Sequence, residues 1–481
     1  MRLLMRALVL IHRWLGVAFC LVFAMWFATG VVMHFVPFPE LTETERVSGL
    51  MPFSAAEARH GPRAAIEASK VAGVTRITLF RRPDVPVYVV QGTSGTVAVS
   101  ALDLSTAAVL AEQPALRIAS THAERRGIAG AAARVMRVVE HDQWTVPNGY
   151  DAHRPLFRIA LQDTAKTEVY VSSMTGQVVQ DTTHSERAWN YAGSVLHWIY
   201  PTALRRNWSA WDATVWWLSL VALVAAAAGA LLGILRLEAA RGRLTWSAST
   251  LASPYRGWHA WHHWLGIASM LFLLAWIFSG WLSMDHGRIF SRGEPGAEEL
   301  RAIADARMWD MLPDGELDHI AAQALEIEWF PFADRVVRRE RIDSATQRIG
   351  VAGERAANAP WLTAEQVTAA VAGLQRSCLP AVRIAEADGY AKTSRTPGAP
   401  VYRSVCGDDW YHVDGANGVV LEKLDGSRRA YRWVYSALHT LDFPALVARP
   451  LLRTSLIVIL CALGFVFSVT AVVIAWRRLN A

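Results

Sequence analysis

Charged residues disappear from the chain four times. The stretches Trp14 to Met33, Ala213 to Leu235, Trp264 to Met284 and Thr454 to Ala475 contain no Asp, Glu, Lys or Arg. Each is long enough to cross a hydrocarbon core, which takes about 20 apolar residues. With their flanks they predict membrane helices over 8–36, 211–236, 259–285 and 452–477. The first is too long for the apolar part of a secretory leader and no small-x-small cleavage site follows it, so it reads as a retained helix. Long polar stretches, 37–187 and 286–428, follow the first and third helices, and each closes on a short amphipathic helix, 188–207 and 429–446. A connector, 237–258, joins the halves. The same order of elements occurs twice, which predicts an α+β integral membrane protein in two pseudo-symmetric halves.

The polar stretches carry their own periodicity. Ser54 to Val71 is Ala-rich and helical, and Val85 to Val90 and Thr96 to Leu102 read as strands. Further strands are expected at Leu156 to Leu161 and Glu168 to Ser172, then a turn at Met174-Thr175-Gly176 and a strand from Gln177 to Gln180. The second half repeats this ending, with Tyr411 to Asp414, a turn at Gly415 to Gly418, and Val419 to Glu422. Glu294 to Gly353 is charge-rich and weakly periodic, and its pattern assigns no fold.

Histidines recur with the helices. Ile11-His12-Arg13-Trp14-Leu15-Gly16 opens the first, and Trp261-His262-His263-Trp264-Leu265-Gly266 opens the third. Ser194-Val195-Leu196-His197 and Ser436-Ala437-Leu438-His439 precede the second and fourth. A lone interfacial histidine is more often a snorkelling or capping residue than a ligand. Recurrence at matching places alters that balance, because a two-fold axis brings His12 to His262 and His197 to His439, the arrangement that bis-imidazole ligation of haem iron needs. No Cys-x-x-Cys-His occurs, so such a haem is b-type, and two pairs make two of them. His263 competes with His262 for the same role. His34 follows His12 by 22 residues, roughly 33 Å along a helix and nearly on the same face. It and His286 are second choices as ligands, in place of or paired with His197 and His439. The remaining histidines, including His122 and His412, lack metal-ligand spacing and read as solvated. The many tryptophans read chiefly as an interfacial belt. Gly16, Gly30, Gly266 and Gly280 recur at matching places, and either helix packing or room for a flat macrocycle explains them.

Arginines set the orientation. Arg2, Arg6 and Arg13 precede the first uncharged stretch, Arg236, Arg241, Arg243 and Arg256 lie between the second and third, and Arg477 and Arg478 follow the fourth. By the positive-inside rule both termini and the connector are cytoplasmic, and the polar regions lie outside, in the periplasm of a bacterium with this chain in its inner membrane. The net charge of +6 includes no basic tract suited to nucleic acid. Cys20 and Cys461 fall inside helices. Cys378 and Cys406 fall in an outer region where a disulfide can form.

The runs Trp410-Tyr411-His412-Val413-Asp414, Gly418 to Leu424 and Arg428 to Leu446, with the His-x-Trp-Leu-Gly openings, resemble the PepSY-associated transmembrane proteins. That resemblance implies four helices, two periplasmic PepSY-like regions, b-type haem, and a role in iron acquisition like that of the ferric-siderophore reductases of the family. The cytoplasmic segments are too short for a nucleotide or flavin domain, and no Gly-x-Gly-x-x-Gly occurs. Electrons are therefore expected from a membrane quinol, a small reductant or a partner protein, and the acceptor implied is a ferric siderophore or other ferric chelate. Tyr150, His153 and Arg154, and Tyr390, Lys392 and Arg395, are candidate contacts for an anionic chelate, with solvated loops the plainer reading. Two other classes stay open: a PepSY binding or regulatory protein without redox activity, and a siderophore permease, against which the scarcity of intramembrane polar residues counts.

Overall fold

The computed structural model describes residues 2–106, 109–128, 132–241, 253–320, 323–355, 359–374 and 377–481; half of the connector, including Arg243, lies outside them. Two compact units emerge. A membrane unit comprises Met1–Phe38, Ala188–Phe290 and Arg429–Ala481, and a sheet unit comprises Pro39–Arg187 and Ser291–Arg428.

Four helices in the membrane unit are long and apolar enough to span a bilayer: Arg2–Phe35, Trp208–Arg241, Trp258–Leu282 and Pro450–Leu479. The first packs on the second and fourth, and the third packs on the same two. Leu21, Leu271 and Ile459 point outward, 67%, 78% and 61% exposed, as lipid-facing side chains do. Inward, Phe27, Ala226, Leu273, Ile457 and Cys461 form the core. Before the second helix, His184–Asn190 runs into a π-helical turn, Tyr191–Val195. Before the fourth, Gly426–Tyr431 runs into another, Arg432–Ala437. Wide turns of this kind leave local backbone distortion where a side chain must be re-aimed.

The sheet unit contains three antiparallel sheets. The largest uses β1 (Val74–Arg81), β2 (Pro86–Gly92), β3 (Gly95–Ser100), β8 (Glu326–Phe332), β9 (Arg335–Arg341) and β10 (Gln347–Val351), in the order β10-β9-β8-β1-β2-β3. A second is β4 (Arg134–Val139), β5 (Leu156–Ala160), β6 (Glu168–Ser172) and β7 (Val178–Thr182), packed on the helix Glu112–Arg125. The third is β11 (Val382–Arg383), β12 (Val401–Cys406), β13 (Asp409–Asp414) and β14 (Val420–Leu424), packed on the helix Ala364–Ala372. The last two match each other, and each ends in the strand, glycine turn and strand expected from the sequence.

Two expectations change. The polar regions of the two halves do not fold apart: β1 pairs with β8, with Ile77 opposite Trp329 and Leu79 opposite Ile327, so one core spans both. The stretch Glu294 to Gly353 supplies β8, β9 and β10. Its pattern is weak because the charged face of β8 and β9 is buried instead of solvated. Glu326 pairs with Arg46 at 2.6 Å, and Glu328 pairs with Arg76 at 2.6 Å and Arg339 at 2.8 Å. Arg338, fully buried, pairs with Glu316 and Glu340. Buried charges persist only when matched in this way. Cys378 and Cys406 are disulfide-bonded, and Cys20 and Cys461 are buried thiols.

Candidate functional site

The ring centres of His12 and His262 lie 6.2 Å apart with planes at 35°. Those of His197 and His439 lie 6.4 Å apart with planes at 68°. A metal–imidazole bond is about 2.0 Å and a ring centre sits roughly 1.1 Å behind its ligating nitrogen. Two imidazoles trans on one metal therefore place their centres about 6.2 Å apart. Both pairs have that separation.

Hydrogen bonds hold the Nδ1 atom of every ring. Thr29 Oγ1 donates its proton to the Met25 carbonyl at 2.8 Å, so it accepts from His197 Nδ1 at 2.9 Å. Ser279 Oγ donates to the Trp276 carbonyl and accepts from His439 Nδ1 at 3.1 Å. Thr470 Oγ1 donates to the Phe467 carbonyl at 2.6 Å and accepts from His262 Nδ1 at 2.9 Å. His12 Nδ1 donates to the Ala225 carbonyl at 3.3 Å. His12 thus carries its proton on Nδ1, and in the other three rings a hydroxyl that spends its proton on a carbonyl accepts from Nδ1, which leaves Nε2 as the open nitrogen, the form in which histidine binds a metal with its second nitrogen held in place.

Local structure brings the rings there. Each π turn ends two residues before its histidine, His197 or His439. A Cβ on Gly30 would lie 3.6 Å from the His197 ring, and one on Gly280 would lie 3.2 Å from His439, so each ring rests on a glycine one residue after its hydroxyl partner. Gly229 is stricter: a Cβ there would come within 2.5 Å of His12 Cε1. His262 stacks on Phe467 at 4.7 Å, and His439 on Tyr435 at 5.7 Å.

Among the described residues no cluster of three or more His, Cys, Asp or Glu side chains is placed to hold a metal ion. Two imidazoles alone would leave a bare ion under-coordinated, whereas haem, if bound, would take only its two remaining ligands from the rings of each pair and would supply one-electron chemistry. The residues present fit haem better than a free cation. Along the third helix, Ser279 follows His262 by 17 positions, setting the two pairs about 26 Å apart. Phe27, Phe272 and Trp276 lie between them, with ring centres 5.5 to 6.3 Å apart.

The other sequence candidates are held elsewhere. His263 has both nitrogens engaged, Nδ1 by Ser253 Oγ at 3.0 Å and Nε2 by the Gly233 carbonyl at 3.1 Å, so it braces the helix ends while its neighbour His262 faces His12. His34 Nε2 bonds Thr454 Oγ1 at 2.9 Å, and its helix presents Thr29 and Gly30 to His197 instead. His286 pairs with Asp212 and lies against Trp216. In the sheet unit His122 and His412 are buried, not solvated. Arg154 braces its own loop through Asp151 and the carbonyls of Thr145 and Pro147. Lys392 pairs with Glu422 and Arg395 with Glu40.

The family model for the PepSY-associated TM region matches residues 9–478. The chain belongs to the PepSY-associated transmembrane family. No curated protein matches it. In this PepSY-associated membrane protein both histidine pairs fall inside the matched span. Reading the sequence for histidines alone missed Thr29, Ser279 and Thr470, which orient the rings. A signal was present: Thr29-Gly30 and Ser279-Gly280 recur at matching places in the first and third helices.

Proposed function

We propose that the four histidines hold two b-type haems and that the protein carries electrons across the bacterial inner membrane to a ferric chelate, a ferric siderophore being the substrate class. The observation that carries this reading is the pairing: two facing imidazole pairs at 6.2 and 6.4 Å, all four with Nδ1 bound to oxygen. Bound haem would supply one-electron chemistry. The chain's own contribution is positional. His12 and His262 fix one site near the ends of their helices, His197 and His439 fix the other, and the packed rings of Phe27, Phe272 and Trp276 keep water out between them. If the termini are cytoplasmic, as the arginine distribution suggests, electrons from a membrane quinol or another reductant would enter near His12 and leave near His197. Reduction weakens iron's hold on hard oxygen ligands and so releases it from the chelate.

The test is to mix the dithionite-reduced, desalted protein with a ferric chelate and a ferrous-specific chromophore under argon. Ferrous iron should appear as the protein's spectrum reoxidises, and a His439→Ala variant should lose most of that rate. Reoxidation by oxygen alone, with no ferrous iron from any chelate, would remove the reductase reading.

A further inference from the structure

The sheet unit contains a cavity of about 30 Å³, partly open to solvent, that the histidine pairs do not involve. Its walls include Arg46, Arg82, Thr121, His122, Gln177 and Glu326. Two of these are unlike the rest. Arg82 is only 7% exposed, and its guanidinium meets no carboxylate: Nε and Nη2 both donate to the Thr175 carbonyl, and Nη1 makes no hydrogen bond among the described residues. The nearest acid in sequence, Asp84, is taken by Arg117 through both oxygens. His122 is 2% exposed, and its Nε2 is buried without a partner. By contrast Arg46 is neutralised by Glu43 and Glu326.

A buried guanidinium without a counter-charge is costly, and so is a buried ring nitrogen without a partner. Burial pulls Arg82 down to about 10, against the weaker opposing pull of the nearby Asp84 carboxylate. It also pushes His122, beside Arg126 and Arg46, down to about 3, so at neutral pH that ring is uncharged. One cavity therefore gathers one guanidinium with no carboxylate in contact and one uncharged imidazole.

We infer that this cavity is a binding site for a small monocarboxylate, held by the Arg82 guanidinium through Nη1. One charge calls for a monoanion; a phosphate dianion would leave excess negative charge beside Glu326. The planar fork of arginine matches the two oxygens of a carboxylate better than a spherical halide. The site joins the end of β1, the helix Glu112–Arg125 and the turn Gly176 to Val178, so occupancy ties the second sheet to the largest one. This inference is independent of haem.

The experiment is calorimetric titration of the full-length detergent-solubilised protein with sodium acetate, against sodium chloride and sodium phosphate at fixed ionic strength. Saturable acetate binding is expected, weakened about ten- to hundredfold in Arg82→Gln, the effect of deleting a charged hydrogen bond. Arg82→Lys, which keeps the charge and loses the fork, should bind acetate with intermediate affinity if the glutamine variant fails to fold. No saturable acetate signal in the parent protein would overturn the inference. So would equal binding by chloride or phosphate, or unchanged affinity in folded Arg82→Gln.

Discussion

Replacing Thr29 with valine keeps the shape of the side chain and removes one hydroxyl. That hydroxyl is 4% exposed as part of its residue and is the acceptor for His197 Nδ1 at 2.9 Å. Leaving a buried N–H without its acceptor costs about 1–3 kcal/mol. At 1.4 kcal/mol per factor of ten, the cost corresponds to a loss of roughly 5- to 150-fold in whatever His197 binds. Loss of a metal ligand's hydrogen-bond partner is known independently to lower affinity about 10- to 100-fold. The two ranges agree, so Thr29→Val should weaken haem at the His197–His439 site by one to two orders of magnitude while leaving the His12–His262 site full. The assay is haem retention under dilution or competition with apomyoglobin, read as haem per chain. Thr470→Val is the mirror control and should affect only the His12–His262 site, through His262. Equal loss from both sites, or none from either, would refute the claim that these hydroxyls hold the ligands.

Three further outcomes follow from the same geometry. Gly229→Ala should displace the His12 ring, which its Cβ would approach to 2.5 Å, and lower haem content at that site with the four helices intact by circular dichroism. The pairs' interplanar angles of 35° and 68° should give two distinguishable low-spin ferric signals in electron paramagnetic resonance, the more anisotropic one disappearing in His439→Ala. The third concerns acid. The folded pKa of His122, about 3, lies below its ordinary 6.5, so between those values the unfolded chain binds a proton that the folded chain refuses. The stability from this group is complete above about pH 6.5 and falls as pH drops, and melting temperatures from pH 7.5 to 5 should decline less steeply in His122→Gln.

Much of the membrane unit was legible in the sequence because its constraints are local. A bilayer demands about 20 uncharged residues in a row; three of the four runs that meet this lie inside observed helices, and the third runs two residues past the end of its helix at Leu282. The duplication made His12, His262, His197 and His439 conspicuous, since a repeat exposes positions that no periodicity rule would single out. What could not be read is long-range or angular. His262 and His263 are adjacent in sequence but differ by about 100° around the helix, and only the neighbours Thr470 and Gly233 decide which ring faces His12. His34 satisfied both length and phase, yet Thr454 of the fourth helix takes its ring. In the sheet unit the terminal hairpins β6–β7 and β13–β14 followed from their turn residues. The β1–β8 pairing joins residues some 250 positions apart, and the alternation of Glu326 and Glu328 with Ile327 and Trp329, like the charged run Arg338 to Arg341, resembles a solvated surface until the partner arginines and glutamates are known.

The most direct test of the central claim is a dithionite-reduced minus air-oxidised absorption spectrum of the purified protein, with haem quantified per chain as the pyridine haemochrome. Facing imidazole pairs with free Nε2 lone pairs predict low-spin b-type bands and two haems per chain, falling to one in His12→Ala or in His439→Ala. A colourless protein after expression with ample haem would contradict the account and leave the histidine pairs as packing within a PepSY-associated membrane scaffold.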